Sequence, residues 1–165
     1  MPRLENHQLF PTLAVPRVGG GSIRLPDDLA GDFGVVLVYR GAWCPYCRAQ
    51  LGAFSRAAER LAESRIGIVA MSVDDEATTA ALVDKLHLAF PVAHSVDATE
   101  AAAALGSYVH DEPRYLESTG FVVTPAGTVL TAVYSSNAIG RLLPDDVVGQ
   151  VTYVQQMAQS PGRAR

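Results

Sequence analysis

Apolar and polar residues alternate along the chain in a pattern that predicts strands and helices in turn. Residues 35–39 (VVLVY) and 66–73 (IGIVAMSV) are continuous apolar runs rich in β-branched residues, as expected for strands buried on both faces. Between them, apolar residues recur at helical spacing: Leu51, Phe54, Ala58 and Leu61. Because charged residues fill the intervening positions, the pattern predicts a helix over residues 45–64.

Further elements are predicted on either side of this segment. They are short extended pieces within 9–26, a helix to about Leu86 capped by Asp74 or Asp75, an extended piece at 90–92, a helix over 100–105 capped by Thr99 and ended by Gly106, a hairpin of 120–124 and 129–134 with its turn at 125–127, and a helix from about Pro144 that ends before Ser160. Strand–helix units followed by a hairpin and a closing helix predict an α/β fold with a central mixed β-sheet and helices on both faces.

The length and composition favour one domain. The chain has 165 residues, 48% of them hydrophobic, and we expect a single domain over 1–165 with flexible ends at 1–8 and 160–165. The formal net charge is -4 with no basic stripe, so a nucleic acid is not an expected partner. No apolar run approaches the roughly 20 residues of a membrane helix, and the start lacks the pattern of a signal peptide. We therefore expect a cytoplasmic protein without a membrane partner.

The candidate chemistry lies in the two cysteines, Cys44 and Cys47, which form a single Cys-Pro-Tyr-Cys motif. One such pair cannot form a disulfide framework, and in a reducing compartment it is more typical of catalysis, redox sensing or metal binding. If a helix begins at Pro45, Cys44 lies at its N-cap or first turn, where the helix end favours a thiolate. We expect Cys44, as the more exposed thiol, to attack a substrate, and the shielded Cys47 to resolve the mixed disulfide.

Two aromatic residues, Trp43 and Tyr46, flank the motif. Their apolar rings and polar tips suit a docking surface for an extended segment of a partner. The alternative for Trp43 is simple packing against the helix.

Four segments of the chain resemble the peroxiredoxin-like branch of the alkyl hydroperoxide reductase and thiol-specific antioxidant family, which has the thioredoxin fold. They are residues 38–47 (VYRGAWCPYC), 68–74 (IVAMSVD), 85–92 (KLHLAFPV) and 121–127 (FVVTPAG). The resemblance extends over about residues 10–154. It implies a thioredoxin-like fold and a thiol redox activity.

The chain departs from this family at the residues that activate its peroxidatic cysteine. The family's spacing places Cys47 on the peroxidatic position and Cys44 on a threonine, and Ser118 stands where an arginine is expected. Arg40 and Arg114 are the candidates for a replacement cation. Arg141 resembles a recurring arginine of the branch, and its other interpretation is a bond to carbonyls at a helix end.

Several functions therefore remain open. A disulfide reductase of the thioredoxin type is the leading hypothesis, with Arg40, Trp43, Pro45 and Tyr46 supporting the two cysteines. A thiol-dependent peroxidase is the alternative, and a binding module is a third.

A zinc site would need two more ligands, and the histidines lack paired spacing: His7, His87, His94 and His110. We expect no cofactor and no metal, a thiol reductant or reductase as partner, and a peroxide or protein disulfide as substrate. A homodimer is an open alternative to a single chain.

Overall fold

The fold is described by a computed structural model of the chain, in which residues 2–29 and 32–159 are described. Within those residues the elements, in chain order, are β1 (Leu13–Pro16), β2 (Ser22–Leu25), a 3-10 turn (Asp27–Leu29), β3 (Phe33–Val38), α1 (Pro45–Arg56), α2 (Ala58–Glu63), β4 (Ile66–Met71), α3 (Glu76–Leu86), β5 (Val92–Ala93), α4 (Ala98–Leu105), β6 (Val109–His110), β7 (Tyr115–Leu116), β8 (Thr119–Val123), β9 (Val129–Tyr134) and α5 (Pro144–Gln159).

The central sheet has five strands in the order β5-β4-β3-β8-β9. Strand β3 lies in the middle, parallel to β4 on one side and antiparallel to β8 on the other. Val35, for example, is paired with Ile68 of β4 and with Val122 of β8. All six residues of β3 are buried, as its unbroken apolar run predicts. The predicted mixed sheet is confirmed.

Two apolar layers cover the faces of this sheet. Val35 and Leu37 face a cluster that includes Leu51 and Phe54 of α1, together with side chains of α2, α3 and α5. Val36 faces the opposite cluster, to which α4 and the β1–β2 hairpin contribute. Helices therefore lie on both faces, as predicted. The motif follows the carboxyl end of β3, a central and fully buried strand.

Two predicted helix boundaries are wrong. The helix expected over 45–64 is interrupted at Ala57, where α1 ends and α2 begins. The apolar spacing does not reveal this break because Phe54 and Leu61, on either side of it, pack into the same cluster. The N-cap of α4 is Asp97, whose Oδ1 accepts the N–H of Glu100 at 2.9 Å, and not Thr99. A carboxylate is a strong N-cap, so the helix begins two residues earlier than expected.

The ends of the chain were expected to be flexible. At the N-terminal end, the N–H of Leu4 donates to the Tyr134 hydroxyl at 2.9 Å, and the N–H of His7 donates to the Val129 carbonyl at 2.8 Å. These bonds join residues 2–8 to β9. The prediction for 160–165 lies outside the described residues. Among the described residues, none of the helices is long and apolar enough to cross a membrane.

Tyr39, the residue after β3, should make the free energy of unfolding depend on pH in the alkaline range. Its side chain is fully buried, and burial raises the pKa of its hydroxyl to about 12. Above about pH 10 the unfolded chain releases this proton while the folded chain keeps it, so stability should fall as pH rises towards 12. We expect a loss of about 2 to 3 kcal/mol from this residue.

The measurement is urea unfolding of the wild type and of Tyr39→Phe at intervals from about pH 8 to pH 12. The variant lacks the titrating hydroxyl, so its stability should fall less than that of the wild type. Parallel pH profiles for the two proteins would contradict the assignment.

Candidate active site

The Cys-Pro-Tyr-Cys motif lies at the junction between β3 and α1. Cys44 is the N-cap of α1, with extended backbone angles (φ -83°, ψ 117°), and Pro45 follows at the first helical position. The Sγ of Cys44 accepts the N–H of Cys47 at 3.3 Å, one of the amide groups that a helix start leaves unpaired. The carboxylate of Asp74, in the loop between β4 and α3, holds the loop before Cys44 by accepting the N–H of Ala42 at 2.7 Å. The predicted placement of Cys44 is confirmed.

Cys47 lies one turn further along the helix, and both cysteines are free thiols. Its Sγ accepts the backbone N–H of Arg40 at 3.3 Å and faces Nη2 of Arg141 at 3.2 Å. Both cysteine side chains have 0% exposure, so the prediction that Cys44 is the more exposed of the two is wrong. The difference arises because Arg40 and Arg141, which come from other segments, pack over the sulfurs.

Arg40 occupies the surface side of the dithiol. Its Nη1 lies 3.8 Å from the Sγ of Cys44, its Nη2 donates to the Tyr115 hydroxyl at 3.0 Å, and its Nε pairs with the carboxylate of Glu117 at 2.9 Å. The guanidinium also lies 4.9 Å from the ring centroid of Trp43. Arg40 is therefore the cation that the sequence suggested near Cys44. Its positive charge is balanced by a buried carboxylate.

Arg141 reaches the same sulfurs from the loop before α5. Its Nη2 lies 3.2 Å from the Sγ of Cys47 and 3.8 Å from that of Cys44. Its Nη1 donates to Oε1 of Gln50 at 3.0 Å, and its Nε donates to the Ala138 carbonyl at 2.8 Å. Within residues 2–29 and 32–159, it forms no ion pair with a carboxylate. Its nearest anionic candidates are the two buried cysteine sulfurs.

The two thiols are electrostatically distinct. Burial raises the pKa of the Cys44 thiol, but hydrogen bonds from the thiol and amide of Cys47 and from Arg40, together with the charge of Arg141, leave that pKa below its usual value. The pKa of Cys47 is raised, first by burial and then because its thiol donates to Cys44, although Arg141 opposes the shift. The arrangement favours one thiolate, on Cys44, with Cys47 as the protonated neighbour.

Trp43 and Tyr46 are about half exposed, at 51% and 52%. The Trp43 ring meets the ring of Tyr115 edge to face at 5.0 Å, and Tyr115 stacks in turn on His110 at 4.5 Å. Trp43 therefore packs on Tyr115 and Arg40, so neither interpretation of it is complete: it is packed on one side and open to solvent on the other.

Arg114, the other arginine suggested by the sequence, does not reach the cysteines. Its guanidinium donates to Asp111 at 2.9 Å and to Thr99 at 2.8 Å. The suggestion is wrong because these exposed partners hold it at the start of α4. Ser118, at the position where the family has an arginine, is buried beside β8.

Sequence reasoning left three residues out of the site: Gln50, Glu117 and Arg141. Gln50 is a buried amide on the apolar face of α1, which is the signal that could have found it. Arg141 was noticed for its resemblance, but 94 residues separate it from Cys47 and no local pattern connects them. Glu117 lies in a buried segment before β8 that is not apolar in sequence, so its need for a partner is visible only in the structure.

The charge of Arg141 should lower the thiol pKa of the dithiol, and its removal tests this. In Arg141→Met the apolar contact of the side chain is largely retained but its positive charge is removed, so the thiolate loses stabilisation and the thiol pKa rises. At a pH below the pKa, we expect the thiolate fraction to fall by about tenfold or more. The measurement is the pH dependence of thiolate absorbance in the ultraviolet, for the reduced protein.

Arg114→Met is the matched control, since it removes an arginine of the same fold that lies away from the sulfurs. It should titrate like the wild type. If Arg141→Met also titrated like the wild type, the electrostatic role of Arg141 would be refuted.

Comparisons with known proteins identify the family of this chain. The family model described as AhpC/TSA matches residues 7–132. A peroxiredoxin of Methanothermobacter thermautotrophicus is 25% identical over 144 residues, which cover 84% of this chain and 68% of that protein.

Solved structures agree in fold. A cysteine-to-serine mutant of peroxiredoxin 6 of Arenicola marina superposes with a TM-score of 0.82 at 16% identity, covering 94% of this chain and 76% of that one. The peroxidoxin BcpB of Mycobacterium tuberculosis gives 0.80 at 20% identity, covering 92% and 99%. AhpC of the same organism gives 0.79 at 19% identity, covering 93% and 94%. The chain belongs to the AhpC/TSA family and is a thioredoxin-fold, peroxiredoxin-like oxidoreductase that acts on peroxides or thiols.

Proposed function

We propose that this protein is a thiol-dependent peroxidase in which Cys44 reduces hydrogen peroxide or a small organic hydroperoxide and Cys47 resolves the product. The observation that carries the proposal is the position of two guanidinium groups, those of Arg40 and Arg141, beside a completely buried pair of thiols. Such a site stabilises a thiolate and also the negative charge that develops on the departing oxygen.

The chemistry balances within the dithiol. The Cys44 thiolate attacks the nearer oxygen of the peroxide, so that an S–O bond forms and the O–O bond breaks. Cys44 becomes a sulfenic acid, and the released alkoxide or hydroxide takes a proton and leaves as an alcohol or water. The sulfur of Cys47 then displaces the sulfenic hydroxyl as water, with the Cys47 thiol proton going to that hydroxyl, and a Cys44–Cys47 disulfide forms.

The arginines have different parts in this scheme. The guanidinium of Arg40 faces the Cys44 sulfur, whereas its backbone N–H donates to Cys47. Nη2 of Arg141 faces both sulfurs and remains next to whichever carries the charge. Gln50 supports Arg141 through the 3.0 Å bond to Nη1 and itself donates to the Leu142 carbonyl at 3.0 Å. The cation at Cys47 is therefore held both by α1 and by the loop before α5.

Burial of the sulfurs favours a small substrate over a protein disulfide. A thioredoxin-type attack needs the nucleophilic sulfur to contact a disulfide on another protein, but Cys44 has no exposed surface. A peroxide needs only a narrow approach beside Arg40. The reductant that restores the two thiols meets the same burial, so a small external thiol or dithiol suits this later step better than a protein reductase.

The test compares two activities in Cys44→Ser and Cys47→Ser. With a small dithiol as reductant, the wild type should consume hydrogen peroxide and give little acceleration of insulin reduction. We expect Cys44→Ser to lose peroxide consumption by at least about a hundredfold, because the nucleophile is absent. Cys47→Ser should still form a sulfenic acid on Cys44, trapped by dimedone and located by mass spectrometry, but should form no internal disulfide.

Two results would contradict the proposal. Rapid insulin reduction without peroxide consumption would favour the disulfide reductase. A sulfenic acid on Cys47 in Cys44→Ser, with none on Cys44 in Cys47→Ser, would transfer the peroxidatic role to Cys47, the position that the family's spacing indicates.

A further inference from the structure

A buried carboxylate, that of Glu117, stands behind Arg40 on the side away from the dithiol. Its side chain is 7% exposed, and its Oε2 lies 2.9 Å from Nε of Arg40. We infer that Glu117 is a positioning residue for the dithiol: it fixes the guanidinium of Arg40 so that Nη1 faces the Cys44 sulfur. The inference rests on the proposed function for its catalytic consequence, but the geometry of Arg40 does not depend on that function.

The guanidinium is held at more than one point. Glu117 attracts the guanidinium as an ion pair, with Oε2 2.9 Å from Nε but not in hydrogen-bond alignment. The Tyr115 hydroxyl accepts from Nη2 at 3.0 Å, and the rings of Trp43 and Tyr115 lie 4.9 and 5.2 Å from the central carbon. Because a guanidinium is planar and rigid, the bond at Nη2 and the ion pair beside Nε together restrict the direction of Nη1, which lies 3.8 Å from the Sγ of Cys44. Of these contacts, only the one to Glu117 joins opposite charges.

Glu117 is itself rigidly placed. Its backbone N–H donates to the Tyr108 carbonyl at 2.8 Å, and it lies in the two-residue link between β7 and β8. The next residue, Ser118, occupies the position where the family resemblance leads us to expect an arginine. This chain thus places an acidic residue beside that position and uses it to hold an arginine that comes from the end of β3.

The charges around Cys44 show why the carboxylate matters. The ionisable groups facing the sulfur are Cys47 of α1, Arg40 after β3 and Arg141 before α5, and Glu117 faces Arg40. Two positive guanidiniums and one carboxylate leave a single positive charge, which one thiolate balances. Removal of the carboxylate has opposite consequences for Cys44 in two cases. If Arg40 stays, the site gains a net positive charge; if Arg40 swings out to solvent, the net charge is unchanged but the Cys44 sulfur loses one of the two guanidiniums that lie 3.8 Å from it.

The test uses this opposition in Glu117→Gln and Glu117→Ala. The glutamine keeps a polar side chain of the same size beside Nε of Arg40, and the Tyr115 bond to Nη2 remains, so Arg40 stays, the site loses a negative charge, and the pKa of Cys44 should fall. The alanine leaves Nε with neither an opposite charge nor a side chain packed beside it, so Arg40 is released and the pKa of Cys44 should rise. At a pH below the wild-type pKa, we expect about tenfold less thiolate in Glu117→Ala than in the wild type.

The readout is the pH titration of thiolate absorbance in the reduced protein, which requires no peroxidase activity. Asp111→Ala is the matched control, because it breaks an exposed arginine–carboxylate pair of the same 2.9 Å length. It should leave the titration unchanged. If Glu117→Ala fails to fold, Arg40→Met/Glu117→Leu replaces the whole pair by apolar side chains, and its thiol pKa should also rise.

Shifts in the same direction for the glutamine and alanine variants would overturn the inference, since Glu117 would then act only through its own charge. An unchanged titration in Glu117→Ala, or in the double variant where the alanine does not fold, would overturn it as well. Peroxide kinetics give the second readout: kcat/KM should fall about tenfold in Glu117→Ala and be largely kept in Glu117→Gln. A wild type without peroxidase activity would refute the proposed function while leaving the titration as the test of Glu117.

Discussion

The contact of the buried dithiol with two guanidiniums, those of Arg40 and Arg141, is the interaction on which the site depends. Burial alone disfavours a thiolate, and both cysteines are completely buried. The thiol and the amide N–H of Cys47 donate to the Cys44 sulfur and lower its pKa. Two full positive charges, each 3.8 Å from that sulfur, lower the pKa further, so that Cys44 is the thiol that ionises inside the protein.

Four parts of the chain meet at the sulfurs. Strand β3 leads into the motif, α1 begins within the motif, the link before β8 supplies Glu117, and the loop before α5 supplies Arg141. The central position of β3, paired on both sides, gives the motif a fixed base. Because Arg141 is contributed by a long-range contact, 94 residues from Cys47 in sequence, the unfolded chain lacks its charge beside the sulfurs, and this part of the activation is a property of the native state.

Local patterns predicted most of the fold. The buried strands, the capping residue Asp75, the hairpin of β8 and β9 and the start of α5 at Pro144 follow from side-chain periodicity and capping chemistry. The break at Ala57 was not predictable in this way, since both halves of the helix keep their apolar face on the same core. The candidate site is predicted in part: Cys44 at the helix start and Arg40 beside it follow from the motif and its flank. Arg114 does not reach the sulfurs, and Arg141 is predicted only as a recurring arginine of the branch or a partner of helix-end carbonyls. Sequence distance explains both errors, because 94 residues separate Arg141 from Cys47 and only the packing of the loop before α5 shows which arginine reaches the sulfurs. The exposure of Cys44 was also misjudged, because a helix start is open to solvent only when no other segment covers it.

The claim that Cys44 ionises before Cys47 is tested by following each cysteine separately as pH changes. In reduced protein labelled with carbon-13 at the cysteine β-carbons, the chemical shift of each β-carbon reports the ionisation of its own thiol. We expect Cys44 to titrate first, below the value of about 8.5 for a free cysteine, and Cys47 to titrate above it. Titration of Cys47 before Cys44, or of both at the free value, would contradict it.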